Sequence, residues 1–77
     1  MPSLNDLIQQ QFPTAKINFA DLNLGVGSFP EWDSMGTFNL LMTVEQVFNV
    51  RFSPEEMAEL KTVKSIRKRL EEFEIKS

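Results

Sequence analysis

The sequence predicts an all-α fold: a small four-helix bundle of three main helices and one short one, with a long loop between the first and second. Three observations lead there. Residues 34–48 form a long apolar run at helical spacing. Helix-start residues stand ahead of every other apolar run: Ser3, Ser53-Pro54 and Thr62. Pro13, Gly25, Gly27 and Pro30 concentrate in one stretch, across which no helical period survives.

The first helix starts at Ser3, whose side chain suits an N-cap, with Asp6 at the capping-box position in place of the usual Glu. Leu4, Leu7, Ile8 and Phe12 line one side of it. Pro13 ends it, because the residue before a proline is pushed away from helical angles.

Residues 13–33 read as the long crossover of a bundle. Ile17, Phe19, Leu22, Leu24 and Phe29 are too many apolar groups for a free linker, so the loop is expected to run over the bundle and bury several of them. Long loops without secondary structure of their own tend to be functional.

The central helix is expected over 34–48. Asp33 and Ser34 both favour an N-cap. Phe38, Leu41, Met42, Glu45 and Phe48 fall on or near one face, with Leu40, Val44 and Val47 in a second apolar line. A helix this apolar over most of its circumference should be wrapped by others. Asn49-Val50-Arg51-Phe52 breaks the period. Ser53-Pro54-Glu55-Glu56 then starts a brief third helix ending near Leu60. Thr62 caps the last helix, with Val63, Ile66, Leu70 and Phe73 on one face.

Seventy-seven residues make one domain with a modest core. The chain has no cysteine and no histidine. It therefore has no disulfide, no thiolate for metal or nucleophilic chemistry, and no imidazole to act as a base near neutral pH. This argues against a self-contained enzyme and against a metal site. No apolar run approaches the roughly 18 residues of a membrane span. The N-terminus lacks the basic and apolar regions of a signal peptide, so the expected compartment is the cytosol. The net charge is −3 but uneven: residues 1–60 hold two basic and eight acidic residues, and residues 61–77 hold six basic and three acidic ones. The basic run from Lys64 to Arg69 reads as a solvated helix face rather than a nucleic-acid site, since apolar positions interrupt it and the acidic remainder repels phosphate. Lys76 alone of these cations is placed to meet a helix C-terminus.

Asp33-Ser34-Met35 ahead of an apolar helix, then Glu45 and Phe48, an acidic-start short helix, and Thr62-Val63 with Ile66, together resemble a carrier protein of the acyl carrier and peptidyl carrier superfamily. The resemblance covers about residues 29–73. It lies in the triplet standing in register with all three later helices, since the triplet alone is common. Gly36, Thr37, Leu40 and Leu41 make the run most similar to D-alanyl carrier proteins.

The resemblance implies one acyl-carrier-like domain over 1–77 that is not itself an enzyme. Ser34 would carry a 4′-phosphopantetheine arm, added from coenzyme A by a separate Mg²⁺-dependent phosphopantetheinyl transferase. The arm's thiol would hold an acyl or aminoacyl group as a thioester, supplying the sulfur this chain lacks. A loading ligase and a downstream acyltransferase would be the partners, and a monomer the default state. The cargo would belong to a specialised biosynthetic pathway; the alternatives are a D-alanyl carrier loaded by an adenylating ligase, and an unmodified helical interaction module.

Asp33 would help the transferase engage the site, besides favouring the helix N-terminus as an anion. Met35 would be an apolar contact for partners, as methionine suits surfaces that meet several of them. Glu45 is the one acid between Ser34 and Phe48; Gly36 and Asn39 stand where fatty-acid-synthesis carriers are usually acidic, which argues against ordinary fatty-acid-synthase partners. Trp32 replaces a usually smaller residue, either as a further partner contact or as a plug holding the loop on the bundle. Phe38 is expected to face inward with Phe12, Phe48, Phe52 and Phe73, crowding the interior against long acyl chains and favouring short or polar cargo.

Overall fold

Four helices follow from four local start signals. The computed structural model describes residues 2–75 and contains α1 (Leu4–Gln11), α2 (Ser34–Phe48), α3 (Pro54–Glu59) and α4 (Val63–Glu72). Lys76 lies outside the described residues. No strand forms among them; one isolated antiparallel bridge joins Gly25 to Thr62.

The caps form as the sequence predicts. Ser3 Oγ accepts from the Asp6 N–H, and the Asp6 carboxylate accepts from the Ser3 N–H, closing a capping box. Ser53 and Glu56 close a second one, with Pro54 at the first helical position. Thr62 and Ser65 close a third. At the far end of α2, Asn49 takes a left-handed conformation at φ 56°, which asparagine tolerates better than most residues, and its N–H returns to the Glu45 carbonyl.

One core joins α1, α2 and α4, with Met57 of α3 packed partly against it. Leu4, Leu7 and Ile8 of α1 meet Leu40, Leu41, Val44 and Phe48 of α2 and Val63, Ile66 and Leu70 of α4. Phe12, Leu24, Trp32, Val50, Phe52 and Leu60 close it from the connections. The rotation of α2 differs from the spacing argument. Thr37, Leu40, Leu41, Val44 and Phe48 point inward, while Phe38 and Met42 are 47% and 48% exposed. Phe38 is thus not an inward-facing residue, and α2 is not wrapped all round. The cause lies at its first turn: Thr37 is drawn inward by a hydrogen bond from Trp32, which turns the next residue, Phe38, outward. The six-residue α3 covers little of the side so exposed.

The crossover is tied down at several points. Leu24 and Trp32 are buried and Ile17, Phe19 and Phe29 pack partly on the core, but Leu22 stays 77% exposed. Around the Gly25–Thr62 bridge the Val26 N–H donates to the Lys61 carbonyl at 2.8 Å and the Val63 N–H to the Leu24 carbonyl at 2.9 Å. Glycine is needed at 25, since a Cβ there would stand 2.2 Å from the Lys61 carbonyl oxygen.

The short α3 is held to α4 by charge. The Arg69 guanidinium bonds the Glu56 carboxylate, reaches Glu72 at 3.4 Å and lies 4.4 Å from the Phe73 ring centroid. Because α4 stops at Glu72, Arg69 sits in its last turn, where a cation is favoured, although the sequence pattern placed it too early for that. The Ser53 N–H and the Arg69 guanidinium hold the Glu56 carboxyl below its ordinary 4.5. A depressed carboxyl contributes stability that is present above the unfolded value and lost as pH falls through the folded one. Glu56→Gln is therefore expected to melt below the parent at pH 7, with the gap closing once the pH drops well below 4.5. Melting curves at the two pH values check this; a gap independent of pH would show that Glu56 acts through packing alone.

Candidate functional site

The first turn of α2 is built by four consecutive local decisions. Asp33 is the N-cap, its Oδ1 accepting from the Gly36 N–H at 2.8 Å. Ser34 is consequently the first helical residue rather than the cap. Thr37 Oγ1 donates to the Asp33 carbonyl at 2.9 Å and accepts from the Trp32 indole Nε1–H at 2.7 Å. Gly36 lets this turn press on the loop and on α1: a Cβ would lie 2.8 Å from the Glu31 carbonyl oxygen and 3.1 Å from the Phe12 ring. An acidic residue at this position has no room.

Trp32 is 1% exposed. It stacks on Phe12 with ring centroids 5.2 Å apart, and Phe29 packs against both rings. A direct partner contact by Trp32 is thereby excluded; the side chain is the plug that seats the loop on the bundle.

Ser34 and Met35 remain at the surface. The hydrogen bonds of this turn run among Trp32, Asp33, Gly36 and Thr37, and among the described residues they leave the Ser34 hydroxyl and the Ser34 and Met35 N–H groups without a partner. Unpaired N–H groups at the start of a helix favour an anion there. Met35 is 67% exposed and continues with Phe38 and Met42 into an apolar strip along the outer side of α2.

Hollows open on two sides of Ser34. One, of about 440 Å³, runs between α2 and α3 and is walled by Val26, Thr37, Phe38, Met57, Ala58 and Lys61. The other, of about 530 Å³, lies against the loop from Val26 to Asp33. Phe38, which the sequence pattern placed in the core, is a wall of the first.

No family model, curated protein or solved structure matches this chain.

Of the residues singled out from sequence, the fold brings Asp33, Ser34 and Met35 together and sets Glu45 apart. Glu45 is half-buried, three turns further along α2, and its Oε2 accepts from the Phe52 N–H at 2.8 Å. Its carboxylate holds the connection to α3 and is not displayed beside Ser34. Thr37, Val26, Met57 and Lys61 were not legible as site residues. Thr37 carried a faint signal as a hydroxyl one turn after a capping aspartate; the other three reach the groove only through the chain's return. Among the described residues, no group of three or more carboxylates converges to hold a metal.

Proposed function

We propose that this chain is a carrier domain, with Ser34 the attachment point of a 4′-phosphopantetheine arm. What supports the reading most is an exposed, unbonded serine hydroxyl at the first position of a 15-residue helix, with an apolar groove beside it. A phosphodiester on Ser34 Oγ would meet the unpaired N–H groups of Ser34 and Met35. Asp33 caps the same turn and so fixes the backbone from which the Ser34 side chain projects. Val26, Phe38, Met57 and Ala58 offer apolar surface along which an arm would lie, and Lys61 lines the same groove as a cation. The bound arm supplies a thiol, and hence a thioester to an acyl or aminoacyl group.

Cargo space on this reading is the surface groove. Phe12, Phe48 and Phe52 fill the interior, but Phe38 does not, so Phe38 does not crowd the interior against long acyl chains. Gly36 and Thr37, which resemble D-alanyl carriers, are both consumed by packing here, so they do not separate D-alanine from other acyl cargo. The strip of Met35, Phe38 and Met42 suits the transferase, the loading ligase and the acyltransferase in turn, each meeting one apolar surface. Among the described residues no helix is long and apolar enough to cross a membrane. The reading places the carrier, as a monomer, in the cytoplasm, where coenzyme A and the transferase would meet it.

Incubation with coenzyme A, Mg²⁺ and a broad-specificity phosphopantetheinyl transferase is expected to add one arm, seen by intact-mass spectrometry, and Ser34→Ala to abolish the addition. Modification of the Ser34→Ala protein would move the site elsewhere. No addition to either protein would favour an unmodified interaction module.

A further inference from the structure

A second groove, of about 580 Å³, lies between the crossover and α4 and shares no residue with the hollows beside Ser34. The Gly25–Thr62 bridge divides them. Its Val26–Lys61 end opens to the Ser34 groove, whereas Val63 belongs to the second one. The apolar surface of this second groove comes from Phe19, Leu22 and Val63, and Leu22 is the most exposed large apolar side chain among those described.

Lys64, Arg67 and Lys68 of α4 stand over that surface. Among the described residues none of the three forms a salt bridge; both ion pairs present belong to Arg69. Arg67 donates to the neutral Asn5 side chain at 2.7 Å, which orients the guanidinium without neutralising it. Two acids also line the groove, Asp21 and Glu71, and Asp21 Oδ1 is engaged by the Asn23 N–H of its own turn.

We infer that this groove docks an acidic segment of a partner protein, in which carboxylates flank one apolar side chain. The apolar side chain sits on Phe19, Leu22 and Val63, and the carboxylates meet Lys64, Arg67 and Lys68. Charge decides the class of partner. These cations form a local basic ridge on a chain of net charge −3, which repels long polyanions such as nucleic acid while leaving short acidic segments attractive. The apolar floor adds an anchor that a free anion would not use. Because the groove stands apart from Ser34, docking there leaves Ser34 accessible, and it does not depend on Ser34 being modified.

The test uses the full-length chain, isotope-labelled for NMR, and a short synthetic peptide with Asp and Glu flanking a central Phe. Shifts are expected at residues 19–22 and 63–71, and equally in the Ser34→Ala protein. Lys64→Glu/Lys68→Glu is expected to weaken binding at least tenfold with its melting temperature held, since both side chains are exposed. Leu22→Ser in the protein, or Ser for Phe in the peptide, is expected to weaken it as well, which a purely electrostatic contact would not show. Shifts scattered over the surface, or centred on the Ser34 groove, would overturn the proposal. So would equal binding by the charge-reversed protein. Binding to phosphatidylglycerol vesicles without binding to the peptide would assign the groove to lipid instead, and concentration-dependent shifts at these residues in the protein alone would assign it to a second copy.

Discussion

Trp32→Ala is expected to remove about 3–5 kcal/mol of folding stability, the range for truncating a buried large aromatic. A domain of this length has on the order of 4–12 kcal/mol in all, taking about 0.05–0.15 kcal/mol per residue. The change therefore removes about a quarter or more of the total, and all of it at the lower end of that range. The size follows from what Trp32 holds. It is stacked on Phe12, packed by Phe29, and bonded through its indole N–H to Thr37. Removing it frees the loop, the end of α1 and the first turn of α2 together. Thr37→Val tests the polar part separately: it leaves the indole N–H buried without an acceptor, at about 1–3 kcal/mol. Trp32→Phe/Thr37→Val removes donor and acceptor together and should cost less than Trp32→Phe and Thr37→Val added. Urea unfolding followed by circular dichroism measures the parent and all four variants. The single tryptophan of the parent gives a second signal, moving from a buried to a solvated environment on unfolding. A loss below about 1 kcal/mol for Trp32→Ala would mean that the loop is not seated by this side chain.

Met35→Ala is expected to lower loading by a dedicated ligase at least tenfold while leaving the melting temperature in place. This rests on the carrier reading. Tenfold corresponds to about 1.4 kcal/mol of transition-state binding, within what burying one apolar side chain against a partner supplies. The structure separates the two consequences: Met35 is 67% exposed beside Ser34, so its truncation removes partner contact and little core. Glu45 behaves in the opposite way. Its carboxylate accepts from the Phe52 N–H, so Glu45→Ala should cost about 1–2 kcal/mol of stability and reduce loading only as far as it unfolds the chain. Melting and loading measured on the same two variants distinguish them. Normal loading of Met35→Ala, with loading of a folded Glu45 variant abolished, would favour recognition through acidic residues instead.

These two residues show how unevenly the site was legible. Only the resemblance to carrier proteins places Met35 at the surface, since an apolar residue in the first turn of a helix reads equally well as core. The same resemblance makes Glu45 a partner-facing acid, although its spacing puts it on the apolar face, and it is claimed by a backbone N–H seven residues further on. Trp32 offered a choice between surface and plug that no local pattern decides, because the answer lies in Phe12, twenty residues earlier in the chain. Phe38 misled for a related reason. On a helix with apolar residues on almost every side, several rotations satisfy the spacing equally, and the difference between Thr37 inward and Phe38 inward is one residue, about 100° of helix.

The helix starts and the position of Ser34 at a helix N-terminus were determined by the sequence alone. Ser3 with Asp6, Asp33 with Gly36, Ser53 with Glu56 and Thr62 with Ser65 are contacts between residues three apart. Such contacts close in any chain that begins to form the helix, and they need no distant partner. What faces Ser34 was decided by the tertiary structure. The bridge of Gly25 to Thr62 brings Val26 and Lys61 to one side of it, and the Trp32–Thr37 bond turns Phe38 out to meet them. Both depend on segments far apart in the chain being packed on one core, where the loop's course, and not the spacing of residues along it, sets which side chains share a surface.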